Sequence, residues 1–220
     1  MGIYYFPSEF VYWTKYKKHS EMKSVFTKWI DEHEQSHVDN TGGVIDGYTS
    51  YGINDAFDFF TRDTFLPELV VFPFQEMLKI YNSRANTDNI KIDAFRVSYA
   101  WYTKYKTNGR FTMHKHNYGD VTFLNGRSFK PTFSVIYILN DENKSNSTAF
   151  FVPHGYLPSI AGQSDYWYET GYNSEIGEGS ILIFPTSLYH EVYPSIKPGR
   201  ITISYNIDCS FVHPETHVSP

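Results

Sequence analysis

The sequence of 220 residues contains a single cysteine, Cys209. An intrachain disulfide and a cysteine-based zinc site are therefore excluded, and the fold does not require an oxidising compartment. No apolar run approaches the ~20 residues that a membrane-spanning helix needs. The first residues, MGIYYFPSEF, lack the cationic and apolar regions of a signal peptide. We therefore expect a cytoplasmic chain that does not enter a membrane.

An excess of basic charge is also missing. The 19 Lys and Arg residues are outnumbered by 24 Asp and Glu residues, and no basic run or arginine-rich stripe is present. We therefore expect no nucleic-acid partner. What the sequence does have is aromatic residues, at 19% of the chain, which is typical of a β-rich fold with rings available to line a ligand site.

Helical patterns occupy the first part of the chain. Apolar residues at helical spacing predict a helix that Ser20 caps and that ends near Glu34. Residues 57–81 are also helical in character, with Pro73 expected to split or kink them. Between the two helical segments, the glycine-rich residues 35–55 predict a long loop.

From residue 90 onwards, short apolar and β-branched runs alternate with turns. The predicted strands are 95–106, 111–116, 133–139, 148–152, 180–184, 188–192 and 200–207, with a turn at 107–109 and a polar loop over 117–131. This order predicts an α+β fold whose main body is an antiparallel sandwich or barrel. We expect one domain over residues 1–220, made of a helical and loop part (1–89), a jelly-roll core (90–208) and a tail (209–220).

Three histidines fall in these strands. His114 and His116 are two residues apart, so within a strand they point to the same face. His190 ends a short apolar run, and if it meets that face inside a barrel, three imidazoles can hold one metal ion. Arg200 follows ten residues later. A guanidinium binds a carboxylate through two hydrogen bonds, so a metal beside it suggests an α-keto dicarboxylate.

The order of these segments resembles the iron(II)- and 2-oxoglutarate-dependent oxygenases, most closely the prolyl-hydroxylase-like branch and the small oxygenases of phages and bacteria. The matching segments are YKTNGRFTMHKHN, FSVIYILND, GEGSILIFPTSLYHEVYP and GRITISYN, within residues 97–206. The resemblance implies a double-stranded β-helix (jelly-roll, cupin-like) core with the N-terminal helices packed on its outside. It also implies Fe(II), 2-oxoglutarate as cosubstrate, O2, and the host cytoplasm as the location if the protein is viral.

The resemblance also assigns roles to residues of this chain. His114 matches the first iron ligand and His190 the distal histidine. Arg200 matches the basic residue that pairs with the distal carboxylate of 2-oxoglutarate. The other residues expected around the cosubstrate are Tyr105, Ser134 or Tyr137, and Ser204.

One position departs from the family pattern, because His116 stands where the family has a carboxylate. A neutral imidazole in place of an anionic ligand leaves the site one charge more positive. Three interpretations follow: His116 is the third ligand, Asp120 folds back to supply the carboxylate, or the site is degenerate and binds metal without turnover. We favour the first.

These parts predict a dioxygenase that decarboxylates 2-oxoglutarate to succinate and hydroxylates an unactivated C–H bond. The substrate is a protein, through a prolyl-type side chain, or a small molecule. The glycine-rich loop 41–52 and the aromatic loop 156–172 are candidate lids.

Two other functions are compatible with the same residues. The first is a cupin-like three-histidine oxygenase that does not use 2-oxoglutarate, although it would leave the role of Arg200 unexplained. The second is a non-catalytic β-sandwich module that binds a sugar or a peptide through a Tyr/Trp cluster, and in that case metal removal would change nothing. The identity of the substrate and the oligomeric state are not determined by these patterns.

Overall fold

The structure is a computed structural model that describes residues 10–34, 43–85, 91–116, 119–141, 148–151, 167–170, 173–195 and 197–212. The helices are α1 (His19–His33), α2 (Asn54–Phe60), a π-helical turn (Pro67–Val71) and α3 (Phe72–Ala85). The strands are β1 (Tyr12–Lys15), β2 (Val44–Thr49), β3 (Lys91–His114), β4 (Thr122–Leu124), β5 (Arg127–Asn140), β6 (Thr148–Phe151), β7 (Trp167–Glu169), β8 (Ser180–Pro185), β9 (Tyr189–Val192) and β10 (Ile201–Val212).

Every strand pairing in the described chain is antiparallel. The strands follow the order β1-β8-β5-β10-β3-β9-β6-β7, with β2 added to β3 and β4 added to β5. Strands distant in sequence are therefore neighbours in space, as the β10 contacts with β3 and β5 illustrate. This arrangement, with helices that precede the main strands, confirms the predicted α+β architecture.

The first helix confirms the predicted element, and it ends at His33, one residue before the predicted end. The predicted cap is wrong, because Lys18 occupies the N-cap position and Ser20 lies inside the helix. Its buried residues Phe26 and Ile30 lie one turn apart and pack into the larger core cluster of the protein. Phe26 contacts the ring of Tyr137 on β5, with centroids 6.2 Å apart. The helix thus covers one face of the sheet, as its apolar stripe requires.

The second helical segment differs from the prediction of a helix kinked at Pro73. The break lies earlier, between the end of α2 at Phe60 and the π-helical turn that begins at Pro67. Pro73 is the second residue of α3 and does not interrupt it. The residue before it, Phe72, donates its backbone N–H to the carbonyl of Pro67, so the helical backbone continues from the π-helical turn into α3.

Three predicted loops or turns contain strand instead. The expected loop 35–55 includes β2, which pairs with β3, and the polar stretch 117–131 contains the β4–β5 hairpin. The expected turn at residues 107–109 lies inside the continuous strand β3, where Asn108 adopts a φ of 62°. A Cβ at Gly109 would stand 2.5 Å from the carbonyl oxygen of Asp46, so glycine there allows the close approach of β2.

The last strand also runs further than predicted. It ends at Val212, beyond the boundary at residue 208 that the sequence suggests for the jelly-roll core. From Arg200 to Ser210, polar and apolar residues alternate and all are buried. The apolar residues join the larger core cluster beneath the helices, so the polar residues face the opposite side, which is the interior of the barrel.

A smaller cluster of buried apolar residues closes the other side of the barrel. Its members are Ile136, Ile138, Phe150, Ile176, Leu182, Phe184 and Leu188. Among the described helices, none combines the length and the apolar character needed to cross a membrane. The cytoplasmic location stays a prediction.

We predict that Glu178→Gln lowers the free energy of unfolding by about 1 kcal/mol at pH 7. The Glu178 carboxylate accepts hydrogen bonds from Lys23 Nζ at 2.7 Å and from the Asp141 N–H at 3.1 Å, and its Oε1 lies 3.0 Å from His19 Nε2. Burial acts to raise the pKa of Glu178, but these hydrogen bonds outweigh it and lower the pKa below 4.5.

The pH dependence follows from that direction. A carboxylate with a lowered pKa stabilises the fold above pH 4.5, and this stabilisation is lost as the pH falls through the pKa of the folded state. Urea unfolding at pH 7 and at pH 3 measures the difference between Glu178→Gln and the unaltered protein. Glu175→Gln, an exposed residue in the same turn, serves as the control. An equal effect of both variants at pH 7 contradicts the prediction.

Candidate metal centre

The pairing of β3 with β9 brings two histidines together. His114 is the last residue of β3 and lies directly opposite His190 on β9. Their ring centroids are 4.2 Å apart. Because directly opposed residues of an antiparallel pair project to the same face, this register alone places both imidazoles on the barrel interior.

The third histidine follows the end of the strand. The backbone N–H of His116 donates to the carbonyl of Thr186 at 2.8 Å, which holds the chain beside the turn after β8. The His116 ring lies 4.9 Å from that of His114 and 5.0 Å from that of His190, centroid to centroid. One nitrogen from each ring lies within 4.8 Å of the others. In the described part of the chain, this is the single group of His, Cys, Asp or Glu residues arranged to hold a metal ion.

His190 is buried, His114 and His116 are half-buried, and all three imidazoles are held in the neutral form that binds metals. Burial, together with the neighbouring His116, lowers the pKa of His114 to about 4. Burial lowers the pKa of His116 as well, and it lowers the pKa of His190 well below 6.5, with a further contribution from the other two rings. At neutral pH each ring therefore carries one nitrogen with a lone pair.

Hydrogen bonds indicate which nitrogen that is. His114 Nδ1 lies 2.7 Å from the carbonyl oxygen of Thr112, and His190 Nδ1 lies 3.1 Å from that of Leu188. His116 Nδ1 lies 2.8 Å from Asn206 Oδ1. A carbonyl or amide oxygen only accepts, so Nδ1 carries the proton in each ring and Nε2 presents its lone pair.

Asn206 is a residue of this site that the sequence analysis missed. Its side-chain oxygen accepts from His116 and also from Ser134 Oγ, at 3.2 Å. Ser134 Oγ itself lies 2.9 Å from His116 Nδ1. The alternating pattern of β10 was the available signal, because it places Asn206 on the same strand face as Ser204. Which histidine it contacts depends on the folded structure.

Asp120, the alternative carboxylate, stands outside the histidine group. It is exposed and lines the open cleft next to His114 and His116. Its carboxylate is not among the atoms that converge within 4.8 Å. The structure thus brings His116, rather than Asp120, to the other two histidines.

Arg200 is buried at the end of the barrel interior, with 1% of its surface exposed. Its Nη2 donates to Thr148 Oγ1 at 2.9 Å, and its guanidinium carbon lies 5.9 Å from the centre of the Tyr105 ring. Both of these neighbours line an inner cavity that also includes the three histidines. A positive charge therefore stands behind the wall of that cavity.

Two cavities meet at the histidines. The inner cavity, of about 30 Å³, is lined by β10 residues such as Thr202 and Ser204. The outer cleft, of about 850 Å³, opens to solvent. His114 and His116 line both of them. The candidate metal centre thus lies between a small space lined mostly by buried residues and a large one open to solvent.

The remaining predicted cosubstrate residues divide into two groups. Tyr105, Ser134 and Ser204 line the inner cavity. Tyr137 does not, since it belongs to the core beneath the helices, where its hydroxyl lies 2.6 Å from His19 Nδ1. Side chains alternate along β5, so Ser134 and Tyr137, three residues apart, face opposite sides. The expectation that Tyr137 lines the pocket is therefore wrong, and Tyr137 instead contacts α1 through His19.

The structure describes part of the first candidate lid and little of the second. Thr49 and Tyr51, from the glycine-rich segment 41–52, line the outer cleft. Most of the aromatic segment 156–172, including Tyr166, lies outside the described residues.

This combination of an antiparallel barrel, an interior histidine group and a buried arginine defines the double-stranded β-helix class of metal-binding folds. Comparison with solved structures agrees. A Pseudomonas putida prolyl-4-hydroxylase is similar with a TM-score of 0.53 and 10% identity over 92% of each chain. OsALKBH1 is similar with a TM-score of 0.57 and 13% identity over 92% of this chain and 99% of its own.

HygX of Streptomyces hygroscopicus, in a structure with nickel and 2-oxoglutarate bound, has a TM-score of 0.51 and 11% identity over 96% of this chain and 85% of its own. No family model and no curated protein matches the sequence. The chain therefore shares the fold of the iron(II)- and 2-oxoglutarate-dependent oxygenases, which confirms the predicted jelly-roll core at the level of structure.

We predict that Asn206→Leu lowers the affinity for a divalent metal by about 10- to 100-fold, because His116 loses the acceptor that orients its ring. Asn206→Asp keeps an acceptor oxygen at this position and should retain most of the affinity. Competition with a fluorescent chelator, with Ni²⁺ as the probe, measures both variants.

Ser210→Ala is the matched control, since it alters another buried polar residue of β10. The same loss of affinity in Asn206→Leu and Asn206→Asp would show that the hydrogen bond does not matter. A loss in Ser210→Ala of equal size would point to a general effect on the strand.

Proposed function

We propose that the protein is an iron(II)- and 2-oxoglutarate-dependent oxygenase that hydroxylates an unactivated C–H bond. One observation carries the proposal: three neutral imidazoles, each with its Nδ1 bound to an acceptor, bring one nitrogen each to within 4.8 Å of the others, between a small inner cavity and an open cleft. The overall reaction is R–H + O2 + 2-oxoglutarate → R–OH + succinate + CO2. One oxygen atom enters the product and the other enters succinate.

The donor set fits a metal ion of the iron group. Imidazole nitrogen is a suitable ligand for iron, and three protein ligands leave positions open for a cosubstrate and O2. His114, His116 and His190 would hold the ion, and the iron would supply the activation of O2. Three neutral ligands leave the full charge of the ion uncompensated, so an anionic cosubstrate gains electrostatically from binding there.

The inner cavity supports 2-oxoglutarate as that anion. Its polar residues come from several strands, among them Ser134 of β5 and Ser204 of β10, and Arg200 lies next to the lining residues Thr148 and Tyr105. A guanidinium can anchor the distal carboxylate through two hydrogen bonds. The cavity of about 30 Å³ has room for only one or two water molecules. The side chains around it must therefore move when a five-carbon diacid enters.

The outer cleft is the proposed entrance for the substrate. His114 and His116 line both this cleft and the inner cavity, so a substrate in the cleft would lie next to the residues that would hold the metal. Two separate spaces would let the substrate and the cosubstrate reach the same centre together. The sequence resemblance is compatible with a prolyl-type protein side chain or with a small molecule as that substrate.

We predict that the metal-free protein, kept anaerobic, gives a weak visible charge-transfer band only when both Fe(II) and 2-oxoglutarate are added. Chelation of the iron by the keto acid is the physical cause. His190→Ala should abolish the band, because it removes the most buried of the three candidate ligands. Absorption spectroscopy during titration measures the effect.

The controls separate the competing functions. His33→Ala, a histidine of α1 outside the site, should leave the band unchanged. Iron binding without a band would favour the three-histidine oxygenase that does not use 2-oxoglutarate, or a degenerate centre. The absence of iron binding would favour a non-catalytic binding module.

We further predict that Arg200→Met weakens 2-oxoglutarate binding by about 10- to 100-fold, since a charge-assisted hydrogen-bonded pair is lost. Iron affinity should stay within a few-fold of that of the unaltered protein, because Arg200 does not belong to the histidine group. Titration of the charge-transfer band with 2-oxoglutarate gives the first value, and chelator competition gives the second.

Arg62→Met is the control for loss of a guanidinium elsewhere, since Arg62 lies over the ring of Phe59 and away from the cavity. Circular dichroism checks that each variant folds. An unchanged 2-oxoglutarate affinity in folded Arg200→Met would remove Arg200 from the proposed mechanism.

A further inference from the structure

The outer cleft contains a row of aromatic rings that leads to the candidate metal centre. Tyr99 and Tyr51 lie nearly parallel, with centroids 5.8 Å apart and an interplanar angle of 19°. Tyr51 meets Trp101 edge-on at 5.1 Å, and Trp101 lies 5.8 Å from the ring of His116. Tyr51 and Tyr99 are 47% and 49% exposed. The outer end of the row therefore keeps large aromatic surfaces in contact with solvent.

A β-bulge directs Tyr99 into the cleft. In the pairing of β3 with β10, Tyr99 is opposite Asn206 and Val97 is opposite Ile207, so Ser98 is the extra residue. Val97 packs against the core beneath the helices. Without the extra residue, Tyr99 would share that direction, because side chains two apart on a strand point the same way. The exposure of Tyr99 is thus built into the backbone.

An ion pair of fixed geometry lies beside the rings. Asp208 Oδ2 accepts from Arg96 Nε at 3.2 Å and from Arg96 Nη2 at 2.9 Å, and Asp208 Oδ1 accepts from Ser98 Oγ at 2.8 Å. The Asp208 side chain is 6% exposed, whereas that of Arg96 is 32% exposed. The accessible part of the pair is therefore the Arg96 guanidinium, whose charge Asp208 balances and which offers hydrogen-bond donors to the cleft.

Charges are balanced among the described residues that line the cleft. Apart from the histidines, the charged side chains in this set are Arg96, Lys115, Asp120 and Asp208, two of each sign. A nucleic-acid strand needs several cations along its phosphates, and this chain carries a net charge of −5. The cleft therefore suits an uncharged ligand that has both an apolar face and a polar edge.

We propose that the outer cleft binds a neutral saccharide ring. The C–H face of the ring packs against the exposed aromatic surface of Tyr51 and Tyr99, and its hydroxyl groups bond to the accessible part of the Arg96 guanidinium, which Asp208 holds in place. A peptide could place one apolar side chain on the rings, but it would need a second, separate group for the ion pair. A saccharide ring carries both surfaces in one unit. The proposal rests on the proposed function only in making this saccharide the substrate of the candidate metal centre.

The test is a binding experiment that requires no turnover. Labelled, metal-free protein is applied to an immobilised array of neutral glycans, and the dissociation constant of the best glycan is then measured by calorimetry. We expect binding that the double variant Tyr51→Ala/Tyr99→Ala weakens by about tenfold or more, because the stacking surface is lost. Phe72→Ala removes a similarly exposed aromatic residue of α3, outside the cleft, and should bind as the unaltered protein does.

Each outcome decides the proposal. No binding to neutral glycans overturns it, as does binding that the double variant does not weaken. Binding of a proline-rich peptide or of a single-stranded oligonucleotide that depends on Tyr51 and Tyr99 also overturns it, in favour of that ligand class.

The charge-transfer band with Fe(II) and 2-oxoglutarate is recorded for the same proteins. The double variant should keep this band, which a general disruption of the fold would remove. If the band is absent from the unaltered protein, the proposed oxygenase function fails, while the glycan measurement still decides the ligand of the cleft.

Discussion

The arrangement of the site depends on strand β10, which is buried on both faces and alternates strictly between polar and apolar residues from Arg200 to Ser210. The apolar face joins the core beneath the helices, and this burial holds the strand in one register. The same register therefore determines where the polar side chains of the strand lie. Arg200 lies at the inner end, Asn206 orients a candidate metal ligand, and Asp208 forms the ion pair of the outer cleft. One strand thus connects the proposed cosubstrate side with the proposed substrate side.

The replacement of a carboxylate by His116 changes the electrostatics of the centre more than its geometry. Its ring is held as firmly as those of the other two histidines, through the acceptor oxygen of Asn206 and the hydroxyl of Ser134. A buried group of polar side chains, such as His116 with Asn206 and Ser134, is stabilising only when its hydrogen bonds are satisfied. Three strands, β3, β5 and β10, therefore contribute to the position of a single imidazole. Such an arrangement suits a metal ligand better than a residue that merely fills the core.

The two cavities make the two sides of the candidate metal centre different from each other. The inner one is small, lined mostly by buried residues and backed by a guanidinium, and the outer one is large, open to solvent and lined in part by exposed aromatic rings. Fixed dipoles and charges act most strongly where water is excluded, so the inner side is the one suited to hold an anion. The β-bulge at Ser98 gives the outer side its own character by turning Tyr99 away from the core. The difference between the two sides comes from backbone geometry as well as from side-chain chemistry.

The sequence by itself determined the α+β class, the first helix, most of the strands that form the barrel, and the set of residues His114, His116, His190 and Arg200. These follow from local periodicity and from ordered motifs, which need no knowledge of distant contacts. Only the tertiary structure decided the pairing of β2, the hairpin of β4 and β5, the contact of Asn206 with His116, and the separation of Ser134 from Tyr137. These depend on strand register and on bulges, and a shift of one residue in either moves a side chain to the opposite face of the sheet.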